Sequence, residues 1–212
     1  MPVDAKPPAI LTLEGQRAVI EAIPWERRGV FLAAAHTLRP SEVRAINLCD
    51  YRQTNLYVQA AVKGQGVDAP IRGAKERNWR VVGADEELQA WIEWRREQTT
   101  AEERLHGQVP LFPNPFARNS DKRWTTQALI YAWNKAAKEV GVRVSMYPGT
   151  KHTTATELIR RGEARETVQA LLGHADPRST DHYVVLADRF VTDTIRRRSV
   201  TGPSKPKSEP RK

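Results

Sequence analysis

The sequence predicts an α+β domain that is mainly α-helical, with a small antiparallel β-sheet and a hairpin on one side. Several segments with a helical spacing of apolar residues begin at Thr, Ser or Asp and end at Gly, as helices commonly do. Between them, the region 55–82 holds short runs of β-branched and aromatic residues separated by turn residues. A chain of 212 residues, 40% of them hydrophobic, is long enough to bury one such core.

The first three helices are predicted from caps and prolines. Thr12 is expected to cap a helix that runs to about Ile23, because Pro24 interrupts the chain there. Pro24 also suits the start of a second, buried helix over 27–37. The segment Pro-Ser-Glu at 40–42 opens a short third helix.

The sheet and the later helices follow in chain order. Strands are expected over 55–62, near 69–72 and over 79–82, and the first two are joined by a glycine-containing turn. Glycines and prolines in 106–123 predict a loop. Helical periodicity predicts five later helices, over 85–98, 125–140, 153–161, 164–172 and 188–197.

The composition indicates a nucleic-acid partner and argues against a membrane. Lys and Arg number 34 against 25 Asp and Glu, a net charge of +9, which suits nucleic acid, although a merely basic globular protein is the alternative. No apolar run approaches the roughly 20 residues that span a bilayer. The polar, proline-rich start is unlike a secretory signal, and Cys49 is the one cysteine, so no intrachain disulfide forms. A cytoplasmic location is expected, with nucleoid association when the protein is bound to DNA.

The most informative pattern is a series of cations followed by an imidazole and a phenol. Lys151 precedes His174 by 23 residues, and Tyr183 follows His174 by nine. Earlier in the chain, Arg39 stands at a turn before a helix, where a guanidinium can meet a phosphate, and Glu42 is placed to orient it. Each residue alone has an ordinary structural explanation, such as a solvated surface cation. Their joint order indicates chemistry on a phosphodiester.

This series resembles the catalytic domain of the tyrosine recombinases, the phage-integrase family. The family's first box, T-G-x-R-x-x-E-x-x-x-L, is similar to residues 36–46, and its second, H-x-L-R-H-T-x-A-T, to 148–156. Its L-L-G-H followed nine residues later by tyrosine is matched by 171–174 and Tyr183. Its hairpin lysine, in a K-T-x-R or K-x-x-K-x-R setting, is similar to 72–77. The resemblance implies a tyrosine-recombinase-like catalytic domain (11–200). The composition on either side of it predicts a flexible lead-in (1–10) and a disordered basic tail (201–212).

The resemblance implies DNA strand cleavage and rejoining without a metal or other cofactor. Tyr183 would attack a DNA phosphodiester and form a 3′-phosphotyrosyl link. Arg39 and Lys151 would stabilise the phosphorane, and Lys75 would protonate the leaving 5′ oxygen. His174 would donate to a non-bridging oxygen or assist proton transfer. Further residues are expected to contact DNA or to support these five: Glu42, Arg72, Arg77, Thr150 and His152.

Both boxes depart from the family pattern. Pro148 and Lys151 replace the usual histidine and arginine of the second box, so a bidentate phosphate clamp is lost while the charge is kept. Tyr147 or His152 is the expected partial substitute. In the first box, Thr37 stands where the family has glycine.

The hairpin leaves two assignments open. One alignment places Lys75 at the catalytic position and the other places Arg72 there. Lys75 is favoured because a guanidinium, with a pKa above about 12, is a poor proton donor.

The implied function is site-specific recombination by an integrase of a mobile element. The expected partner is double-stranded DNA, with self-association to a tetramer on DNA, a monomer in isolation, and an N-terminal core-binding domain missing from this chain. The alternatives are a catalytically impaired DNA-binding relative, a topoisomerase-like strand relaxer, and a helical interaction module that shares the motif by coincidence.

Overall fold

The computed structural model describes residues 9–66, 69–73, 79–117, 122–174, 176, 178–181 and 183. In this part the predicted mixed and mainly helical class is confirmed. The α-helices are α1 (Leu13–Glu21), α2 (Trp25–Ala35), α3 (Pro40–Val43), α4 (Glu86–Glu97), α5 (Ala101–His106), α6 (Thr126–Glu139), α7 (Thr153–Arg160) and α8 (Arg165–Leu172). A 3₁₀ turn is present at Leu48–Asp50 and a π-helical turn at Pro148–His152.

The strands form two small antiparallel sheets. They are β1 (Tyr51–Arg52), β2 (Asn55–Val58), β3 (Ala60–Val62), β4 (Ile71–Gly73) and β5 (Arg80–Gly83). The first sheet has the order β1-β2-β5, with Leu56 opposite Val82, and the second pairs β3 with β4. The single strand expected over 55–62 is therefore wrong: exposed Gln59 separates β2 from β3, and the chain passes there from one sheet to the other.

The core lies around α2 and is rich in tryptophan. Trp91, Trp124 and Trp133 are fully buried, and the ring of Phe31 contacts the last two. Glycine permits the closest approaches, because a Cβ at Gly149 would come within 2.4 Å of the Trp133 ring. This contact fixes the π-helical turn against α6 and so places the second box relative to the core.

Three helix starts agree with the positions predicted from sequence. The side chains of Thr12, Asp85 and Thr125 each accept a hydrogen bond from a backbone N–H in the first turn of α1, α4 and α6. The expected start of the second helix was two residues late, since α2 begins at Trp25. Residues 1–8, the expected helix over 188–197 and the expected tail over 201–212 lie outside the described residues.

Helix α5 was not predicted. Its signal is present in the sequence, because Thr100 and Glu103 form a reciprocal capping box and Gly107 ends the helix in the left-handed conformation. The predicted loop over 106–123 therefore starts directly after this short helix.

Candidate active site

The carboxyl end of α8 is the centre of the candidate site. The helix stops because Gly173 adopts φ 64°, and the last carbonyls of a helix have no partner within it. The carbonyls of residues 171–173 accept hydrogen bonds from three cations in turn. Arg80 Nε donates to Leu171 O at 2.8 Å. Lys151 Nζ donates to Leu172 O at 3.0 Å. Arg39 Nη2 donates to Gly173 O at 3.3 Å. The negative end of the helix dipole favours cations at this place.

A buried carboxylate joins two of these cations. Glu42 Oε1 accepts from Arg39 Nη1 and from Arg80 Nη1, both at 3.0 Å. Glu42 Oε2 accepts from the backbone N–H of Arg39 at 2.7 Å and from Arg80 Nη2 at 2.9 Å. Burial by itself would raise the pKa of Glu42, but the bonds and charges of Arg80 and Arg39 hold it below its usual value. The three side chains together keep one positive charge.

Arg39 is the arginine of this group that reaches solvent. Its side chain is 36% exposed, whereas those of Glu42 and Arg80 are each 7% exposed. It is the N-cap residue of α3, as the turn before a helix predicted. The preceding corner is formed by Thr37, which has φ 71° and whose hydroxyl donates to Leu171 O at 3.1 Å.

Lys151 is fully buried rather than solvated. It lies in the π-helical turn, whose carbonyls at Gly149 and Thr150 each accept a bond from Gln16 Nε2 at 2.9 Å. Desolvation lowers the pKa of Lys151 to about 7, and the charges of Arg39 and Arg80 act in the same direction. Thr150 is also buried, and its hydroxyl donates to Met146 O at 2.8 Å, so it does not face a ligand here.

Tyr183 lies against two histidines, His174 and His152. Its ring stacks on that of His174 with centroids 6.1 Å apart, and the ring of His152 is 5.2 Å away on a tilted plane. Tyr183 is 2% exposed and packs in a small apolar cluster with Val168 and Leu172. Burial raises its pKa above the usual value for tyrosine.

His174 holds its position through a second contact. Its Nδ1 lies 3.2 Å from the hydroxyl of Thr180. Desolvation lowers the pKa of His174 to about 4, with further lowering by Lys151 and Arg39. The imidazole is therefore neutral at physiological pH.

The structure brings together four of the five predicted catalytic residues: Arg39, Lys151, His174 and Tyr183. Lys75 and Arg77 lie outside the described residues. Arg72 is exposed on β4 and, within the described part of the chain, makes no hydrogen bond or ion pair with the cluster.

Arg80 is the residue of this site that sequence reasoning missed. It is 8% exposed and contacts the α2–α3 corner, Glu42 and α8. One signal was available, because Arg80 and Val82 lie on the same face of a predicted strand and Val82 belongs to the core. A cation at an inward position of a strand requires a buried partner.

The described residues contain neither a metal-binding group of side chains nor a membrane-spanning helix. In those ranges no three His, Cys, Asp or Glu side chains are grouped so that they would hold a metal ion. No helix among them is long and apolar enough to span a bilayer.

A mainly helical domain with a small sheet, in which these boxes converge, is the catalytic-domain fold of the tyrosine recombinases. The sequence profile of the Phage integrase family matches residues 19–189, and the chain belongs to that family.

Two relatives share part of the sequence. A tyrosine recombinase of Thermosipho africanus is 30% identical over 87 residues, which are 40% of this chain and 31% of that protein. The tyrosine recombinase XerC of Chlamydia caviae is 33% identical over 159 residues, which are 74% of this chain and 46% of that protein. The chain thus spans less than half the length of either relative.

Solved structures share the fold at low sequence identity. The Tn1549 transposon integrase, in complex with a circular intermediate DNA, superposes with a TM-score of 0.69 at 15% identity, covering 92% of this chain and 68% of that one. The XerA recombinase superposes with a TM-score of 0.67 at 19% identity, covering 94% and 66%.

Proposed function

We propose that this chain carries the strand-cleaving and strand-joining site of a site-specific recombinase that acts on double-stranded DNA. The observation that carries the proposal is the convergence of Arg39, Lys151, His174 and Tyr183 at the carboxyl end of α8. Arg39 lies more than a hundred residues before the other three in the chain. A fold that required only stability would not need to gather several cations beside a buried phenol.

Each side chain has a role in the proposed reaction. The Tyr183 hydroxyl passes its proton to the neutral imidazole of His174 while its oxygen forms a bond to phosphorus. The bond from phosphorus to the 5′ oxygen breaks, and a 3′-phosphotyrosyl link results. Arg39 and Lys151 stabilise the added charge on the phosphorane, and His174 hydrogen-bonds a non-bridging oxygen. Lys75 protonates the leaving oxygen. A 5′-hydroxyl of a partner strand then reverses these steps.

In this proposal the carbonyl oxygens at the end of α8 accept hydrogen bonds from the cations that would also donate to phosphate. The charged Lys151 ammonium has three N–H donors, and one of them donates to Leu172 O. It can keep that bond and still donate to a phosphate oxygen. Contact with a phosphate also favours the charged ammonium and so offsets the lowered pKa of Lys151. Lysine thus supplies charge here without the two-point clamp of arginine.

The partners and location follow from the same proposal. DNA is favoured by the net charge of +9 and by fold relatives that are bound to DNA, such as the Tn1549 integrase and the XerH recombinase on its difH substrate. A tetramer on DNA, a monomer without it, an N-terminal core-binding domain in the whole protein and a cytoplasmic, nucleoid-associated location complete the proposal.

A nicked suicide DNA substrate tests the proposal. The wild type should form a covalent adduct that migrates slowly on a denaturing gel, and Tyr183→Phe should abolish it because the nucleophilic oxygen is gone. Tyr131→Phe is the matched control, since Tyr131 is an exposed tyrosine on α6 and its variant should keep the adduct. An adduct that persists in Tyr183→Phe shows that the nucleophile is a different residue.

The complete burial of Lys151 favours one alternative, a DNA-binding relative with impaired cleavage. Salt-sensitive binding of the same DNA without any adduct from the wild type would support it. A strand relaxer would instead relax supercoiled plasmid without producing recombinants.

A further inference from the structure

We propose that Arg80 is a positioning residue for strand cleavage: it clamps the Glu42 carboxylate, which in turn sets the guanidinium of Arg39 toward the scissile phosphate. This inference rests on the proposed function. Arg80 has no place among the expected catalytic residues and is too buried to reach DNA, with 8% of its surface exposed. Its contribution must therefore pass through Glu42 and Arg39.

The contacts of Arg80 form a planar fork. Nη1 and Nη2 donate to the two Glu42 oxygens at 3.0 and 2.9 Å, and Nε donates to Leu171 O at 2.8 Å. Nη2 also approaches Thr37 O at 3.5 Å. A bidentate arginine–carboxylate pair fixes the carboxylate plane as well as its position. The acceptors belong to α3, α8 and the α2–α3 corner, so Arg80 ties the start of β5 to all three.

Glu42 has no acceptor site left over. Each oxygen takes one bond from Arg80 and one from Arg39, and a carboxylate offers about four such positions. Arg39 can therefore bond Glu42 only from the remaining side. With Nη1 held there and Nη2 on Gly173 O, the guanidinium of Arg39 has a defined orientation at the surface.

Arg80 also sets the charge that Arg39 presents. Without Arg80, Glu42 and Arg39 would neutralise each other, and a neutral pair stabilises a phosphorane poorly. With Arg80 the group keeps one positive charge. The Glu42 carboxylate also faces the segment that contains the π-helical turn, where its charge acts to raise the pKa of both Tyr147 and Lys151.

The test compares Arg80→Gln and Arg80→Lys with the wild type on the nicked suicide substrate. For Arg80→Gln, single-turnover cleavage should fall roughly 10²-fold, as expected for misplacement of a reacting group, while DNA affinity changes less than about threefold. Arg80→Lys should restore part of the rate, because it returns the charge without the fork.

The dependence of cleavage on pH separates positioning from a loss of stability. In Arg80→Gln the pKa of Glu42 should rise, so the acid limb of the rate profile should move to higher pH. Arg44→Gln is the matched control: Arg44 is also buried, at 4% exposed, but its acceptors include Trp124 O and Gly64 O. That control should lower the melting temperature and keep the profile of the wild type.

Each outcome has one meaning. If Arg80→Gln keeps the wild-type profile and loses rate only in proportion to its unfolded fraction, measured by circular dichroism, Arg80 is merely structural and the inference is wrong. If the wild type itself forms no adduct, the proposed function fails and the inference falls with it. Of these two contradicting outcomes, the first overturns the role of Arg80 but leaves the proposed function intact, and the second overturns both.

Discussion

Lys151 shows how one buried side chain gives stability a pH dependence. Its pKa is about 7 in the folded protein against an ordinary value of 10.5, so between these values the unfolded state binds more protons. Stability should therefore rise with pH across that window, and the full penalty for burying the charge is present below about pH 7.

Replacing Lys151 with methionine should remove this dependence. Lys151→Met keeps the length of the side chain without the charge, and it should be more stable than the wild type near pH 7 by a few kcal/mol. The advantage should shrink toward pH 10. Urea unfolding of both proteins at several pH values measures the difference, and parallel stability curves would rule out a depressed pKa.

Thr37 occupies a conformation that favours glycine. A β-branched residue at φ 71° is strained, and the Thr37 hydroxyl offsets part of the cost by its bond to Leu171 O. Thr37→Ala keeps the strain and loses the bond, whereas Thr37→Gly loses both.

We expect Thr37→Gly to be more stable than Thr37→Ala by about 1 kcal/mol, because only glycine relieves the left-handed backbone. This reverses the usual order of glycine and alanine. Thermal unfolding of the two variants measures it, and a Thr37→Ala variant that is the more stable of the pair would contradict the strain.

At the scale of elements, the end of α8 depends on Gly173. Its φ of 64° favours glycine, and a Cβ there would lie 3.0 Å from Nη1 of Arg80. Gly173→Ala should therefore cost about 1–2 kcal/mol of backbone strain and also disturb the arginine cluster, lowering cleavage. Unfolding and adduct formation measure the two effects.

Gly162 provides the matched control for this prediction. It ends α7 with φ 89°, and a Cβ there meets nothing within 4 Å. Gly162→Ala should cost similar stability but keep the cleavage rate per folded molecule. Equal loss of cleavage in both variants would mean that the contact with Arg80 does not matter.

The predicted elements succeeded where the signal was local. Thr12, Asp85 and Thr125 were all visible as caps, because a cap needs only its own first turn. The break at Gln59 was not visible, because it depends on which distant strand pairs with each half. The capping box of α5 is an equally local signal, formed by Thr100 and Glu103.

At the scale of the whole molecule, the site is assembled from four regions that the sequence keeps far apart. Glu42, Arg80, Lys151 and Gly173 meet because β5 packs against α8 and the π-helical turn packs against α2. The order of the motifs in the sequence predicted that Arg39, Lys151, His174 and Tyr183 belong to the site. It contained no measure of their burial.

The sequence by itself determined the fold class, the family boxes and the identity of the proposed nucleophile, Tyr183, because these depend on spacing and local chemistry. The tertiary structure alone decided that Arg80 joins the site, that Lys151 is fully buried and that Thr150 faces the core. The physical reason is that desolvation and charge pairing depend on neighbours distant in the chain, and only packing brings those neighbours together.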